Sequence, residues 1–334
     1  MLVIIGALAA ALAPPPTPGR FQLALLQLSV GSNKTQNLLN AQAAVREAVG
    51  RGAQLVVLPE CFNSPYAVKA FPEYAEEVPM AGASDPSTQP STHMLRSLAK
   101  ELEIFIVGGS IPERDASNGK LYNTAIAVGP DGAILVRHRK IHLFDVNVPG
   151  KITFRESDTL SAPSPTTRPI FDTPWGRVGL GICYDLRFPQ YAALLREAGA
   201  HILVFPGAFN LFSGPLHWEL LARARAVDTQ SFVAVVSPSR SEDSSAYQAY
   251  GHTSLVSPWG KVVATTEHAP AAVHAEVDVA ETSEPRAAIP VFDQKRDDLY
   301  TLEWTGGGVR GGGGGPRAWW RRLAAWVRGR RAGR

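Results

Sequence analysis

An apolar run of small and branched residues, Val178-Gly-Leu-Gly-Ile182, ends on Cys183, and a polar turn leads from there into the helix-like stretch Pro189–Ala200. This strand–turn–helix pattern constrains the fold more than any other segment. It calls for a buried strand whose terminal side chain faces a helix N-terminus. A thiol in that position is expected to favour its thiolate through the helix dipole, and the thiolate is the strong nucleophile. A lone cysteine is more often an ordinary core residue, so the reading rests on two further segments.

The first is Gln54-Leu-Val-Val-Leu-Pro-Glu60, a second apolar run, which ends in a carboxylate. A carboxylate at a strand end among apolar neighbours loses hydration, which raises its pKa and suits it to proton transfer. The second is Ala133-Ile-Leu-Val-Arg-His-Arg-Lys140-Ile-His-Leu-Phe-Asp145, a strand that finishes in a cluster of bases. Taken singly, Glu60 is a solvated strand terminus and Lys140 a surface base. Taken together, Glu60, Lys140 and Cys183 supply a base, an oxyanion stabiliser and a nucleophile at the ends of three strands. Cys61 adjoins the base. If the strand continues, its side chain points to the other face, so Cys61 is expected to be structural.

Hydrophobic periodicity places further strands at Phe21–Leu28, Ile104–Ile111, Tyr122–Val128, His201–Phe205, Phe232–Ser237 and Val273–Val279. Helices are expected over Leu38–Gly50, Thr88–Leu102, Tyr191–Ala198 and Trp218–Asp228. Gly129-Pro-Asp-Gly132 and the stretch Leu255–Val263 read as hairpins. Strands alternating with helices and interrupted by hairpins imply an α/β fold, a mixed sheet covered by helices.

The 334 residues, 45% hydrophobic, suffice for a large core, and 19% charged residues argue against disorder through the body. The formal net charge of +3 is local in origin. Eight arginines and no acids lie beyond Glu303, and subtracting them leaves −5 for residues 1–303. A slightly acidic body gives no sign of a nucleic-acid partner. Two cysteines do not make a disulfide framework, and the eight histidines show no zinc-like spacing, so no metal is expected.

Residues 1–20 form an apolar, proline-rich extension. It has the length of a signal-peptide core but lacks a basic n-region, and it is short for a membrane span. The expected location is cytoplasmic or mitochondrial, with organellar or secretory targeting by this segment left open. Residues 304–334 form a Gly/Arg-rich flexible tail. Its segment Ala318–Arg328 could form a basic amphipathic helix that contacts anionic surfaces.

The order Pro59-Glu60, Arg139-Lys140 and Gly181-Ile-Cys-Tyr-Asp185 resembles the nitrilase, or carbon–nitrogen hydrolase, superfamily over about residues 21–303. The branch it most resembles is that of the omega-amidases. The words that carry this are Leu58-Pro-Glu-Cys-Phe-Asn-Ser-Pro-Tyr66, His138-Arg-Lys-Ile-His-Leu-Phe-Asp145, Val148-Pro-Gly-Lys-Ile-Thr-Phe154, Pro206-Gly-Ala-Phe-Asn210 and the stretch Gly214–Asp228. The resemblance implies a nitrilase-like α-β-β-α sandwich, in which two sheets face each other inside two helical layers. It also implies subunits paired into homodimers or larger assemblies through helical faces.

For the chemistry, the resemblance implies hydrolysis of a small ω-amide through a cysteine thioester, with no cofactor. Glu60 is the base, Cys183 the nucleophile, and Lys140 with the Tyr184 backbone N–H the oxyanion donors. Glu156 is the supporting second carboxylate. Omega-amidases take amides of short keto-dicarboxylic acids, so a cation must meet the distal carboxylate. Arg187 is the first candidate, with Lys69 and Lys151 as alternatives, and Tyr66 and Phe209 are candidate pocket walls. Competing readings are another amidase of the superfamily (a deaminated-glutathione amidase or a carbamoylase), a nitrile hydrolase, and a non-catalytic scaffold.

Overall fold

The computed structural model describes residues 16–164 and 167–306. Most of the apolar N-terminal extension and nearly all of the Gly/Arg-rich tail lie outside the described residues. In the first half, strand β1 (Arg20–Gln27) leads to helix α1 (Lys34–Gly50) and β2 (Leu55–Val57). The short α2 (Phe71–Tyr74) and then α3 (Pro90–Leu102) follow, before β3 (Phe105–Val107), β4 (Ile111–Arg114), β5 (Leu121–Val128) and β6 (Ile134–Arg139). A small hairpin, β7 (Asp145–Val148) and β8 (Ile152–Arg155), separates the halves.

The second half runs β9 (Ile170–Thr173), β10 (Gly176–Leu180), α4 (Pro189–Glu197), β11 (Ile202–Pro206), α5 (Ser213–Thr229) and β12 (Phe232–Val236). It continues through β13 (Ser254–Val256) and β14 (Val262–Thr265), and β15 (Ala271–Asp278) then returns to the first half before α6 (Ser283–Ala288).

Two mixed sheets result. In the first, β1, β2 and β3 are parallel, with β15 antiparallel at one edge of β1. Strand β5 pairs antiparallel with β3 and β4 along one edge and with β6 along the other. In the second, β10, β11 and β12 are parallel, flanked by antiparallel β9 on one side and by β13 and β14 on the other.

The period of two along a strand sorts the core. Leu23, Leu25, Leu55, Val57, Val107, Ala125 and Ala127 face the second sheet in one cluster. Ala24, Leu26, Val56, Ile106, Ile126 and Val128 face Ala41, Val45 and Ala48 of α1 and Leu95, Leu98 and Ala99 of α3. On the far side, Ala192 and Leu195 of α4 and Trp218, Ala222 and Ala226 of α5 pack on the second sheet. This is the α-β-β-α sandwich expected from the resemblance.

Helix α1 begins four residues before the expected Leu38, because the Asn33 side chain caps it by accepting from the Gln36 N–H at 3.0 Å. The single strand expected over Ile104–Ile111 is two strands, broken at Gly108-Gly109. Gly109 has φ +58°, and a Cβ there would lie 2.0 Å from the Pro59 carbonyl oxygen. The break lets the chain pass against the Pro59-Glu60 turn. Among the described residues no helix is long and apolar enough to cross a membrane.

Replacing Gly109 by alanine should therefore destabilise the protein by on the order of 3 kcal/mol, combining a left-handed backbone penalty with a main-chain clash. It should also displace Glu60. Chemical unfolding of Gly109→Ala within about 0.5 kcal/mol of the parent would refute the close-packing argument.

Candidate active site

Three strand ends converge between the sheets. The chain leaves β2 at Val57 and turns through Leu58-Pro59, placing Glu60 three residues beyond the strand. Cys183 stands likewise three residues beyond β10, at the start of a 3-10 turn over Cys183–Arg187. It sits at φ +45°, an uncommon conformation for a side-chain-bearing residue. Lys140 follows directly on β6 and is fixed by its own N–H donating to the Asn123 carbonyl at 2.8 Å. Glu156, just after β8, completes the set. All four are buried, Glu60 and Lys140 to 1%, Cys183 to 3% and Glu156 to 0% exposure.

The Lys140 ammonium lies between the two carboxylates. Nζ is 3.0 Å from Glu60 Oε1 and 2.8 Å from Glu156 Oε1. Glu60 Oε1 also accepts from Asn123 Nδ2 at 2.8 Å, and Glu60 Oε2 accepts from the Ala208 N–H at 2.8 Å. Glu156 Oε1 accepts from the Tyr66 hydroxyl at 2.8 Å, and Oε2 from the Phe144 N–H at 2.7 Å. The Cys183 thiol is buried close enough to this cluster to feel the charges of Glu60, Lys140 and Glu156.

Charge and burial set the protonation states. Burial raises the Glu60 carboxyl above its ordinary value, partly opposed by Lys140 and reinforced by Glu156. Burial alone would lower the Lys140 ammonium, but the carboxylates of Glu156 and Glu60 outweigh it and hold the group charged. Burial, then the Glu60 charge, push the Cys183 thiol well above its ordinary value despite Lys140. The expectation of a thiolate favoured by a helix dipole is therefore overturned. Helix α4 begins only at Pro189, six residues on, and Cys183 sits instead in an apolar site beside a carboxylate. The resting nucleophile is a thiol with a base next to it.

Cys61 is buried among Tyr66, Phe71, Leu121, Leu160 and Ala208. The geometry expected for it is also corrected: it is not on a strand but in the turn after β2, at φ +51°, with its N–H donating to Ser110 Oγ at 3.0 Å.

Tyr66 stacks on Phe154 at 5.5 Å and leans on Tyr247 at 4.7 Å. These three rings, from three separate segments, adjoin the ion cluster. The first turn of a helix leaves its leading amides without intrahelical acceptors, and the Tyr184 N–H occupies that place beside the sulfur. Arg187, half-buried, stacks over the Phe209 ring at 4.7 Å and lies 5.7 Å from that of Tyr184. Among the described residues it has no carboxylate partner. Lys69 and Lys151 are exposed on turns.

Several members of the site escape the sequence reading. Asn123, like its neighbour Thr124, is a buried polar residue inside the largely apolar β5, a signal that was available. The Ala208 amide and Tyr247 carry no comparable sign. Asp185 accepts from the Ile182 N–H and His138 Nε2, both at 2.9 Å, and from His142 Nδ1 at 2.7 Å and the His142 N–H at 3.1 Å. Burial would raise this carboxyl, but hydrogen bonds from His138 and His142 hold it well below the ordinary carboxylate range. Asp185 thus ties the turn bearing Cys183 to the strand end bearing Lys140.

A family model described as carbon–nitrogen hydrolase matches residues 22–287. The omega-amidase NIT2 of Bos taurus is 53% identical over 283 residues, covering 85% of this chain and 98% of the relative. A chloroplastic omega-amidase of Arabidopsis thaliana is 50% identical over 289 residues, covering 86% and 76%. Among solved structures, Nit3 of Saccharomyces cerevisiae, a member of branch 10 of the nitrilase superfamily, superposes with a TM-score of 0.74 at 40% identity, over 83% of this chain and 97% of that one. A match that takes in both sheets and all four converging residues identifies the chain as a member of the carbon–nitrogen hydrolase family.

Proposed function

We propose that the protein is an omega-amidase. It hydrolyses the terminal amide of short keto-dicarboxylic monoamides, such as α-ketoglutaramate and α-ketosuccinamate, to the keto acid and ammonia. The observation that carries the reading is a half-buried arginine, stacked on Phe209 and with no carboxylate partner among the described residues, beside a buried Glu–Lys–Cys cluster. Identity above 50% to a relative named an omega-amidase supports the same conclusion.

In acylation, Glu60 takes the Cys183 proton as sulfur bonds to the amide carbon. The resulting oxyanion meets the Lys140 ammonium and the Tyr184 N–H, donors already in place before charge develops. The C–N bond then breaks, with nitrogen taking the proton held by Glu60 and leaving as ammonia. In deacylation, Glu60 takes a proton from water as the water oxygen attacks the thioester, and sulfur leaves with that proton. Splitting the reaction at a covalent intermediate is what the nucleophile contributes. Glu156 fixes Lys140, and Tyr66 fixes Glu156. Arg187 receives the distal carboxylate, with Tyr66 and Phe209 as walls. A reactive cysteine also fits a reducing compartment.

We also propose a homodimer joined through α5. Leu216, Leu220 and Val227 are more than half exposed along that one helix, an apolar stripe that a second copy would cover.

Ammonia release across a panel of ω-amides and nitriles should be fastest with the two keto-acid amides, and Cys183→Ala should lower it by about three orders of magnitude or more. Negligible turnover of both amides, or full activity in the variant, would sink the assignment. Because Glu60 acts deprotonated and its carboxyl is raised, kcat/KM should fall as pH drops through a value above the ordinary 4.5. Because the Cys183 thiol is raised above its ordinary 9.0, no thiolate should be present at neutral pH. Ultraviolet thiolate absorbance at pH 7 that Cys183→Ser abolishes would contradict this. In sedimentation experiments, Leu220→Glu should shift dimer towards monomer, and an unchanged dimer would remove α5 as the interface.

A further inference from the structure

Other partly buried arginines are met either by acids or by main-chain carbonyls: Arg96, Arg240 and Arg286 each donate to two carbonyl oxygens. Arg137 and Arg139 share Glu113, and Arg177 pairs with Asp172. Arg187 differs. Among the described residues its one polar contact is Nη1 to His217 Nδ1 at 3.3 Å. A guanidinium only donates, so Nδ1 must be the acceptor, and His217 is a neutral imidazole carrying its proton on Nε2. Burial and the Arg187 charge both push His217 below its ordinary 6.5, which agrees with that geometry.

The contact is rigidly mounted. His217 lies on α5 beside Trp218, whose Nε1 donates to the His252 carbonyl at 2.7 Å. The Trp218 ring also meets Phe209 edge-on at 4.9 Å, and Phe209 is the ring beneath Arg187. One helix therefore carries both the imidazole that aims the guanidinium and the indole that backs the Phe209 ring beneath it.

We propose that His217 is the specificity-determining positioning residue for acidic amides. It orients the Arg187 guanidinium as a neutral acceptor and leaves the full positive charge for the substrate's distal carboxylate. A carboxylate at 217 would orient the arginine as well, but it would form an internal salt bridge and compete with the substrate. This inference rests on the reading of Arg187 as the substrate-carboxylate ligand.

The test compares His217→Glu, His217→Gln and Arg187→Met with the parent enzyme on two amides of equal chain length, an ω-amide ending in a carboxylate and its neutral isostere. The readout is the ratio of kcat/KM for acidic over neutral amide, which is independent of the fraction of active enzyme. In the parent the acidic amide should be preferred. His217→Glu should lower the ratio by roughly tenfold or more, chiefly through KM, the scale of one lost charge-assisted contact. His217→Gln, a neutral acceptor of similar reach, should recover most of it. Arg187→Met should lower the ratio at least as far as His217→Glu. If Arg187→Met collapses the ratio while His217→Glu leaves it unchanged, His217 does not aim the arginine and only this inference fails. Equal losses in His217→Glu and His217→Gln would also overturn it, since shape rather than charge would then decide. If Arg187→Met itself leaves the ratio unchanged, the underlying reading of Arg187 fails.

Discussion

The site depends on one buried ammonium held between two carboxylates. Taking an ion out of water costs several kcal/mol even after relaxation, and attraction repays this only with good geometry and further hydrogen bonds. Lys140 meets Glu60 and Glu156 at 3.0 and 2.8 Å, and each carboxylate has further donors. Asn123 and the Ala208 amide serve Glu60, while Tyr66 and the Phe144 amide serve Glu156. These donors come from loops and strands across both halves of the chain. The ion cluster therefore forms only when the sandwich is fully assembled, so the fold and the chemistry share one set of contacts.

The two halves meet through a matched device. Parallel strands β2 and β10 each run into a short turn whose key residue emerges three positions later. In open α/β sheets such C-terminal strand ends are where ligands are met. Convergence then requires the two sheets to be held in register. Asp185 supplies this, because its carboxylate is shared between the Ile182 amide on one sheet's turn and His138 and His142 at the end of β6. An acid two residues beyond the nucleophile thus acts through backbone placement rather than by touching the reacting atoms.

Much of this was legible in the chain. The apolar runs before Glu60 and Cys183, and the basic end of β6, placed three of the four converging residues on strand ends. Glu156 was not legible from periodicity. It follows the hairpin Asp145–Arg155, whose four-residue strands alternate between exposed and half-buried positions and leave little apolar pattern. Only resemblance found it. The helix-dipole argument for Cys183 failed for a specific reason. Sequence shows that a helix follows, but not the intervening 3-10 turn or the Glu60 charge brought from 123 residues away. Local patterns report which elements form. They do not report which charges the tertiary fold sets side by side, and those charges decide the state of the sulfur.

That state connects to the substrate. Two acidic side chains, Glu60 and Glu156, are matched by two basic ones, Lys140 and Arg187, while the thiol and His217 are neutral before anything binds. An acidic amide adds negative charge to a buried space, where Coulomb terms are several-fold stronger than in water. A preformed thiolate, or an acid in place of His217, would add a further negative charge and oppose entry. Keeping sulfur protonated until Glu60 takes its proton in the attack, and keeping the arginine's neighbour neutral, are thus two solutions to the same electrostatic demand. Both follow from a pocket built to accept an anion beside a carboxylate base.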